Sequence, residues 1–304
     1  MFSFSEKIKL LLAFAAIYII WGSTFFGVHL ALKSFPPLLL SSLRLLIAGI
    51  ALLIFCINRK EPFPAFTDIK RNAIWGLSIF IGGVVAVVWA QQFISSSLAS
   101  TIITTPFWFI ILDKRQWKFY FSSKWIITGL IMGLIGVAIL MFFKKGPTGN
   151  NSSLMQLVAI LTMVTGSSFW VMGSLFLRYH PSATSVYVST TIQLLSAGVV
   201  CWLISYTTGE LHHFSITAVH TDSIVAMFYL AIVSSLITFL AYVWLIKVKP
   251  PAIVSTYSYV NPLVATLLGW AFAGEHILPV QIMGLLIILA GVFLVNVPRY
   301  QFLK

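Results

Sequence analysis

Few side chains in this chain are suited to chemistry, and their positions narrow what that chemistry can be. The seven acids are Glu6, Glu61, Asp68, Asp113, Glu210, Asp222 and Glu275, and each falls in a connector or at the end of an apolar run. No carboxylate therefore sits in mid-run, where it would carry a proton in the usual way. Arg44 is the one permanent charge placed inside an apolar run. A charge there is costly unless it snorkels to a polar edge or finds partners, so Arg44 is a structural or gating candidate in either case. His29 is the only histidine inside such a run, and it is either a proton-sensitive group or a neutral packed side chain. Asp113 and Glu275 are the other structural or gating candidates; a proton coupled to the protein's activity would have to be carried by His29, Asp113 or Glu275, and without one the protein would be an exchanger or an uncoupled facilitator. Glu210, His212, His213 and His220 gather in the connector 207–222. An exposed polar loop accounts for them, so no metal is assigned. There is no HExxH, no phosphate-binding glycine loop and no paired intramembrane aspartate. No catalytic residue and no cofactor are expected.

A second set of residues suits binding better than catalysis. Tyr18, Trp21, Phe25 and His29 recur at helical spacing and share one face. Thr101, Trp108, Ser235, Thr238, Tyr242, Ser255, Tyr259 and Thr266 form comparable stripes on later runs, and Trp89 and Gln92 end the third run. From these stripes Trp21, His29, Trp89, Gln92, Trp108, Tyr242 and Tyr259 are the cavity candidates. A substrate is expected between Trp21, Trp108, Tyr242 and Tyr259. Plain helix packing and interfacial belts use the same residue types, so both roles stay open. Pro106 and Pro262 each remove a backbone donor from within a run and are the helix-break candidates.

The elements that must position these residues follow from composition. Apolar residues make up 59% of the chain, charged residues 9%, and the mean hydropathy is +0.99, which excludes a soluble domain. Ten apolar segments can be read, starting at about Leu10, Leu38, Ala73, Leu98, Trp125, Leu154, Thr184, Ile224, Ala252 and Leu278. Most approach the roughly 20 residues that span hydrocarbon, the fourth being the shortest. The expected fold is therefore an all-α polytopic membrane protein with ten transmembrane helices. With the amino terminus inside, fifteen of the lysines and arginines fall on the inner side and three on the outer. That bias predicts cytoplasmic termini in an inner (plasma) membrane. It also assigns the net charge of +12 to topology and anionic lipid rather than to nucleic acid. The first run continues to Leu32 with no cleavage signature and reads as a membrane helix rather than a removed leader. Cys56 and Cys201 fall near opposite faces and should not pair.

The chain also repeats itself. Residues 129–137, GLIMGLIGV, match 284–292, GLLIILAGV, at an offset of 155, and Pro106 matches Pro262 at 156. At an offset of 149, Trp21 pairs with Trp170, Ala48-Gly49 with Ala197-Gly198, and Arg44 with Gln193. Two repeats, 1–146 and 147–304, each hold five segments. Because five is odd, the second must be inverted, an arrangement on which alternating-access transporters are commonly built.

In order and spacing, several motifs resemble the drug/metabolite transporter superfamily, specifically its EamA-type permeases. They are Ile20-Trp21-Gly22-Ser23-Thr24-Phe25, Arg44 with Ala48-Gly49, Ala99-Ser100 with Pro106, Ala252, Pro262, Gly274-Glu275, Gly284 and Ala290-Gly291-Val292. The first half lacks a Gly-Glu and has Asp113 there instead, as in the YedA-like exporter subgroup. The resemblance implies a cavity lined by the first, third, fourth, sixth, eighth and ninth helices. It also implies export of a small organic metabolite, such as an amino acid or related amphiphile, by alternating access. The partners expected are that substrate and the lipid bilayer, with the protein a monomer or homodimer. The rival class is an intramembrane enzyme, a hydrolase or lipid transferase, which would need a nucleophile with its base or a metal with its ligands.

Overall fold

The computed structural model describes residues 4–103, 105–142, 153–180, 184–273 and 278–301. The described residues form helices and connectors without strands. Six helices are long and apolar enough to cross a bilayer: α1 (Glu6–Ala31), α2 (Pro37–Asn58), α3 (Phe66–Ala90), α8 (Leu154–Tyr179), α9 (Val186–Thr207) and α10 (Thr221–Val248). Between them lie α4 (Ser96–Ile102), α5 (Thr105–Leu112), α6 (Trp117–Ser122) and α7 (Lys124–Phe142). The chain closes with α11 (Pro251–Val254), α12 (Tyr257–Ala273) and α13 (Pro279–Gln301). Apolar side chains such as Leu11, Leu12, Ile50, Ile54 and Phe293 stand exposed on the outside of the bundle. So extensive an apolar exterior suits lipid rather than water.

Two segments expected as continuous spans are interrupted. α4 ends at Ile102, Ile103 is extended (φ −67°, ψ 105°), and α5 begins again at Thr105. Pro106 is the second residue of α5, where its missing N–H removes no intrahelical bond. In the second half the interruption falls at Ser255 and Thr256, between α11 and α12. Pro262 lies inside the continuous helix α12 and is not at the break. At the break itself, hydroxyls cover the exposed carbonyls: Ser255 Oγ donates to Ala252 O at 3.0 Å and Thr256 Oγ1 to Ile253 O at 2.7 Å. This short-range bonding lets the chain break where the sequence has no proline.

Three long helices also widen locally into π-helix, at Ala16–Ile20 in α1, Ser78–Val85 in α3 and Tyr229–Thr238 in α10. A π segment advances the side-chain register relative to an α-helix and is common at functional sites.

The helices pair reciprocally. The most extensive interfaces are α7 with α13 and α2 with α9. A Cβ added at Gly129 would lie 2.5 Å from Gly291 O, and one at Gly291 would lie 2.6 Å from Gly129 O. Gly136 and Gly284 approach each other in the same way, at 2.7 and 3.1 Å. Gly49 faces Leu195 while Gly198 faces Leu46, the mirrored pair at the offset of 149. Only glycine permits backbones this close. Cys56 and Cys201 are both buried and free.

Candidate functional site

The cavity is built around residues that the offset of 149 relates. Trp21 of α1 and Trp170 of α8 meet edge to face with ring centroids 5.4 Å apart. Tyr242 of α10 and Tyr257 of α12 complete the cluster, 5.0 and 4.8 Å from Trp21. Edge-to-face contacts of this kind match the positive rim of one ring to the negative face of another. Tyr242 is fully buried and donates to Ser174 Oγ at 2.6 Å, and Ser174 in turn donates to Trp170 O at 2.7 Å.

A cavity of about 110 Å³ opens beside this cluster, walled by Trp21, Arg44, Gln91, Trp170, Tyr257 and Asn261 among others. Its remaining wall is mostly apolar and includes Phe80, Gly83 and Val84 from the π segment of α3. Ser234 and Ser235 come from the matching π segment of α10. Arg44 is only 4% exposed. Its Nε and Nη2 donate to Ser235 Oγ at 3.0 and 2.9 Å, and Nη2 approaches Ser234 Oγ at 3.4 Å. The guanidinium is therefore anchored inside the bundle rather than reaching out to a polar edge.

The two ends of the bundle are tied by different polar groups. At one end Asp113, 1% exposed, accepts hydrogen bonds from Tyr120 Oη at 2.8 Å and Tyr179 Oη at 2.7 Å. Burial first, then the adjacent carboxylate, hold the Tyr120 hydroxyl well above its ordinary pKa, so it stays a donor. Arg178 Nη1 donates to the carbonyls of Ile246 and Lys249, which links α8 to the end of α10. At the other end Glu210 accepts from the backbone N–H groups of Leu38 at 3.2 Å and Leu39 at 2.9 Å, capping α2. The cavity lies between the aromatic cluster and this Glu210 end, since Arg44 is two turns from the start of α2 and Gln91 follows the end of α3.

The remaining sequence candidates are dispersed. Trp108 packs against the core that contains Tyr242 and Tyr257, and both Trp108 and the fully buried Tyr242 are outside the cavity wall. Tyr259 faces α7, with its ring against Gly133 and its hydroxyl 3.4 Å from Leu130 O. Trp89 is half-buried against Phe93, and Gln92 is exposed with its amide donating to Trp89 O at 3.0 Å. His29 is exposed and lies outside the cavity wall, although Phe25, one turn before it on α1, lines the cavity. Glu275 lies outside the described residues. The cavity residues that sequence reasoning left out include Gln91, Ser167, Trp170, Ser234, Tyr257 and Asn261. Of these, Trp170 carries a signal, its pairing with Trp21 at the offset of 149. Tyr257 and Tyr259 are two residues apart and so lie on nearly opposite helix faces.

Together, the apolar exterior, the crossing helices and the cavity between them define a multi-pass α-helical membrane protein. The chain belongs to the EamA-like transporter family, whose model matches it twice, at residues 7–142 and 157–297. It is 32% identical over 302 residues to the "Uncharacterized inner membrane transporter YedA" of Escherichia coli (strain K12), covering 98% of this chain and 94% of that protein. It is 25% identical over 304 residues to the "Uncharacterized transporter YdfC" of Bacillus subtilis (strain 168), covering 98% and 92%. A solved crystal structure shares the fold with a TM-score of 0.74 at 15% identity, over 98% of this chain and 99% of that one.

Proposed function

We propose that this protein is a permease that moves a small organic metabolite, an amino acid or related amphiphile, out of the cell by alternating access. The observation that carries the reading is the cavity itself. It lies where Trp21 and Trp170, equivalent residues of the two repeats, meet beside the interrupted ninth segment. Discontinuous helices around a site between repeats are what a carrier needs, because freed backbone groups and a movable interface then coincide. The reciprocal glycine contacts of α7 with α13 and of α2 with α9 support reading the chain as ten crossings in two inverted halves, 1–146 and 147–304. In this reading the Asp113 end is cytoplasmic, in keeping with the basic residues Lys114, Arg115, Lys118 and Lys124 beside it. The cavity then faces the outer half of the membrane, with the aromatic cluster as its inner floor.

The test is counterflow in proteoliposomes with a panel of amino acids and organic acids, with and without a pH gradient. Saturable counterflow that Trp21→Ala abolishes, at unchanged folded yield, is the expected outcome. Transport unaffected by Trp21→Ala would sink the assignment of this cavity. Hydrolysis products without movement of label would point instead to an intramembrane enzyme.

A further inference from the structure

We propose that Arg44 is the anchor for a ligand carboxylate, and that the cavity takes a small monocarboxylic acid that also carries an N–H or O–H donor. The proposal rests on the permease reading and names the chemistry of its substrate.

The first observation is an uncompensated charge. Arg44 lies in the cavity wall, 4% exposed, and its bonded partners are two neutral serine hydroxyls. Among the described residues, the one ion pair is between Arg71 and Asp68 on the solvent-exposed start of α3. A buried cation without a counter-ion is costly, and serine hydroxyls can orient a guanidinium without neutralising it. They hold the Nε and Nη2 edge, and Nη1 makes no bond among the described residues. An arginine fork so placed recognises a planar carboxylate through charge-assisted hydrogen bonds. Arg44 is also the one cation lining the cavity among the described residues. It matches a single negative charge, whereas a phosphate dianion would bring a second charge without a partner.

The second observation is independent of the first. Gln91 is 8% exposed and neither atom of its side-chain amide has a partner; Asn261 is 2% exposed and its Oδ1 has none. Both line the same cavity as Arg44. Buried amide groups are normally satisfied, so these two, in residues of the cavity wall, are the groups left for a ligand to satisfy. Two amide oxygens call for a donor on the ligand. A plain fatty acid leaves them empty, and a simple amine leaves Arg44 unmatched. A 2-hydroxy or 2-amino acid answers both, with its apolar body against Trp21, Trp170 and Tyr257.

The experiment measures binding to the full chain in nanodiscs, by tryptophan fluorescence, of a matched series. The series is leucine, 2-hydroxyisocaproate, isocaproate, leucinamide and isoamyl phosphate. Leucine and 2-hydroxyisocaproate should bind at least about tenfold more tightly than leucinamide and the phosphate, the difference expected for one charge-assisted contact. Isocaproate should fall between. Arg44→Gln should erase the preference for acid over amide, and Gln91→Leu should erase that for the hydroxy acid over isocaproate. The acid-to-amide ratio on the unaltered protein tests the proposal even if Arg44→Gln fails to fold. Equal binding of acid and amide, tighter binding of the phosphate, or no acid bound at roughly 10 mM overturns it. Specific counterflow of a cationic compound that survives Arg44→Gln would overturn the carboxylate and leave the permease standing.

Discussion

Asp113 illustrates how much a single residue can hold together. Its carboxylate accepts from Tyr120 and Tyr179, which come from α6 and the end of α8, so one side chain joins the two repeats at one end of the bundle. Asp113→Asn replaces one acceptor oxygen with a donor facing a phenol. The expected cost is about 1–3 kcal/mol of stability. Thiol labelling of a Ser255→Cys reporter, in the helix break at that end, should also become faster. A variant that melts and labels like the parent would show that the three groups do not act as a latch. The aromatic cluster allows a sharper contrast. Tyr257→Leu removes a ring from the cavity wall and should depress transport several-fold at constant yield. Tyr259→Phe removes a hydroxyl that faces Leu130 O at 3.4 Å and should leave transport unchanged, at about 1 kcal/mol or less in stability. Trp21 and Arg44 were legible in the sequence because an indole on a polar stripe and a charge in an apolar run are rare. Gln91 and Asn261 were not: Gln91 follows the end of its helix, where the sequence carries no sign of which way it turns, and Asn261 lies past the break at Ser255 and Thr256, which shifts the phase of its helix. Gln91 and Gln92 are neighbours, and only one of them faces the cavity.

At the scale of elements, the interruptions decide which faces meet. The sequence placed both breaks at prolines, and in the first half Pro106 does lie just past the break, as the second residue of α5. In the second half the chain breaks at Ser255 and Thr256, and this resets the phase of α12 so that Tyr257 and Asn261 turn inward. Periodicity counted through such a break, or through the π segments of α1, α3 and α10, drifts away from the true face. This is the physical reason that the stripe starting at Ser255 selects Tyr259 rather than Tyr257, whereas Trp89 and Gln92 were selected only for their place at the end of the third run. The close helix pairs, in contrast, were legible from their glycines. Gly291→Val would drive side-chain atoms into Gly129 O, the nearest being 2.6 Å from the position of the Cβ alone. Overpacking of this kind costs about 1–3 kcal/mol, read as a lower melting temperature in detergent. The same substitution at Leu289, exposed on α13, should change little.

For the whole molecule, composition alone placed the chain in a membrane, because so apolar a chain has no soluble alternative. Ten apolar stretches were legible, and six of them form unbroken helices of spanning length among the described residues. Two others are interrupted, and Lys114–Ser122 meets Lys124–Gly136 at 98°. The offsets of 149 and 155 exposed the repeat but not which repeat element touches which, because similarity within a chain carries no information about docking. The orientation is testable independently of substrate. In a cysteine-free background, Lys60→Cys should be blocked only by reagents that reach the cytoplasm, and Lys33→Cys by impermeant ones added outside. The reverse pattern would invert the topology argued from the basic residues.

The meeting of Trp21 with Trp170 has an optical consequence. Two indoles whose centroids lie 5.4 Å apart and whose planes cross at 81° share their excited states, so together they give a paired circular-dichroism signal that neither gives alone. One ring belongs to each repeat, so the amplitude of that signal reports the separation of the repeats. Subtracting the spectrum of a Trp170→Phe variant isolates it. A ligand that makes the halves part should then dim the signal in real time, with no label attached and no transport assay required.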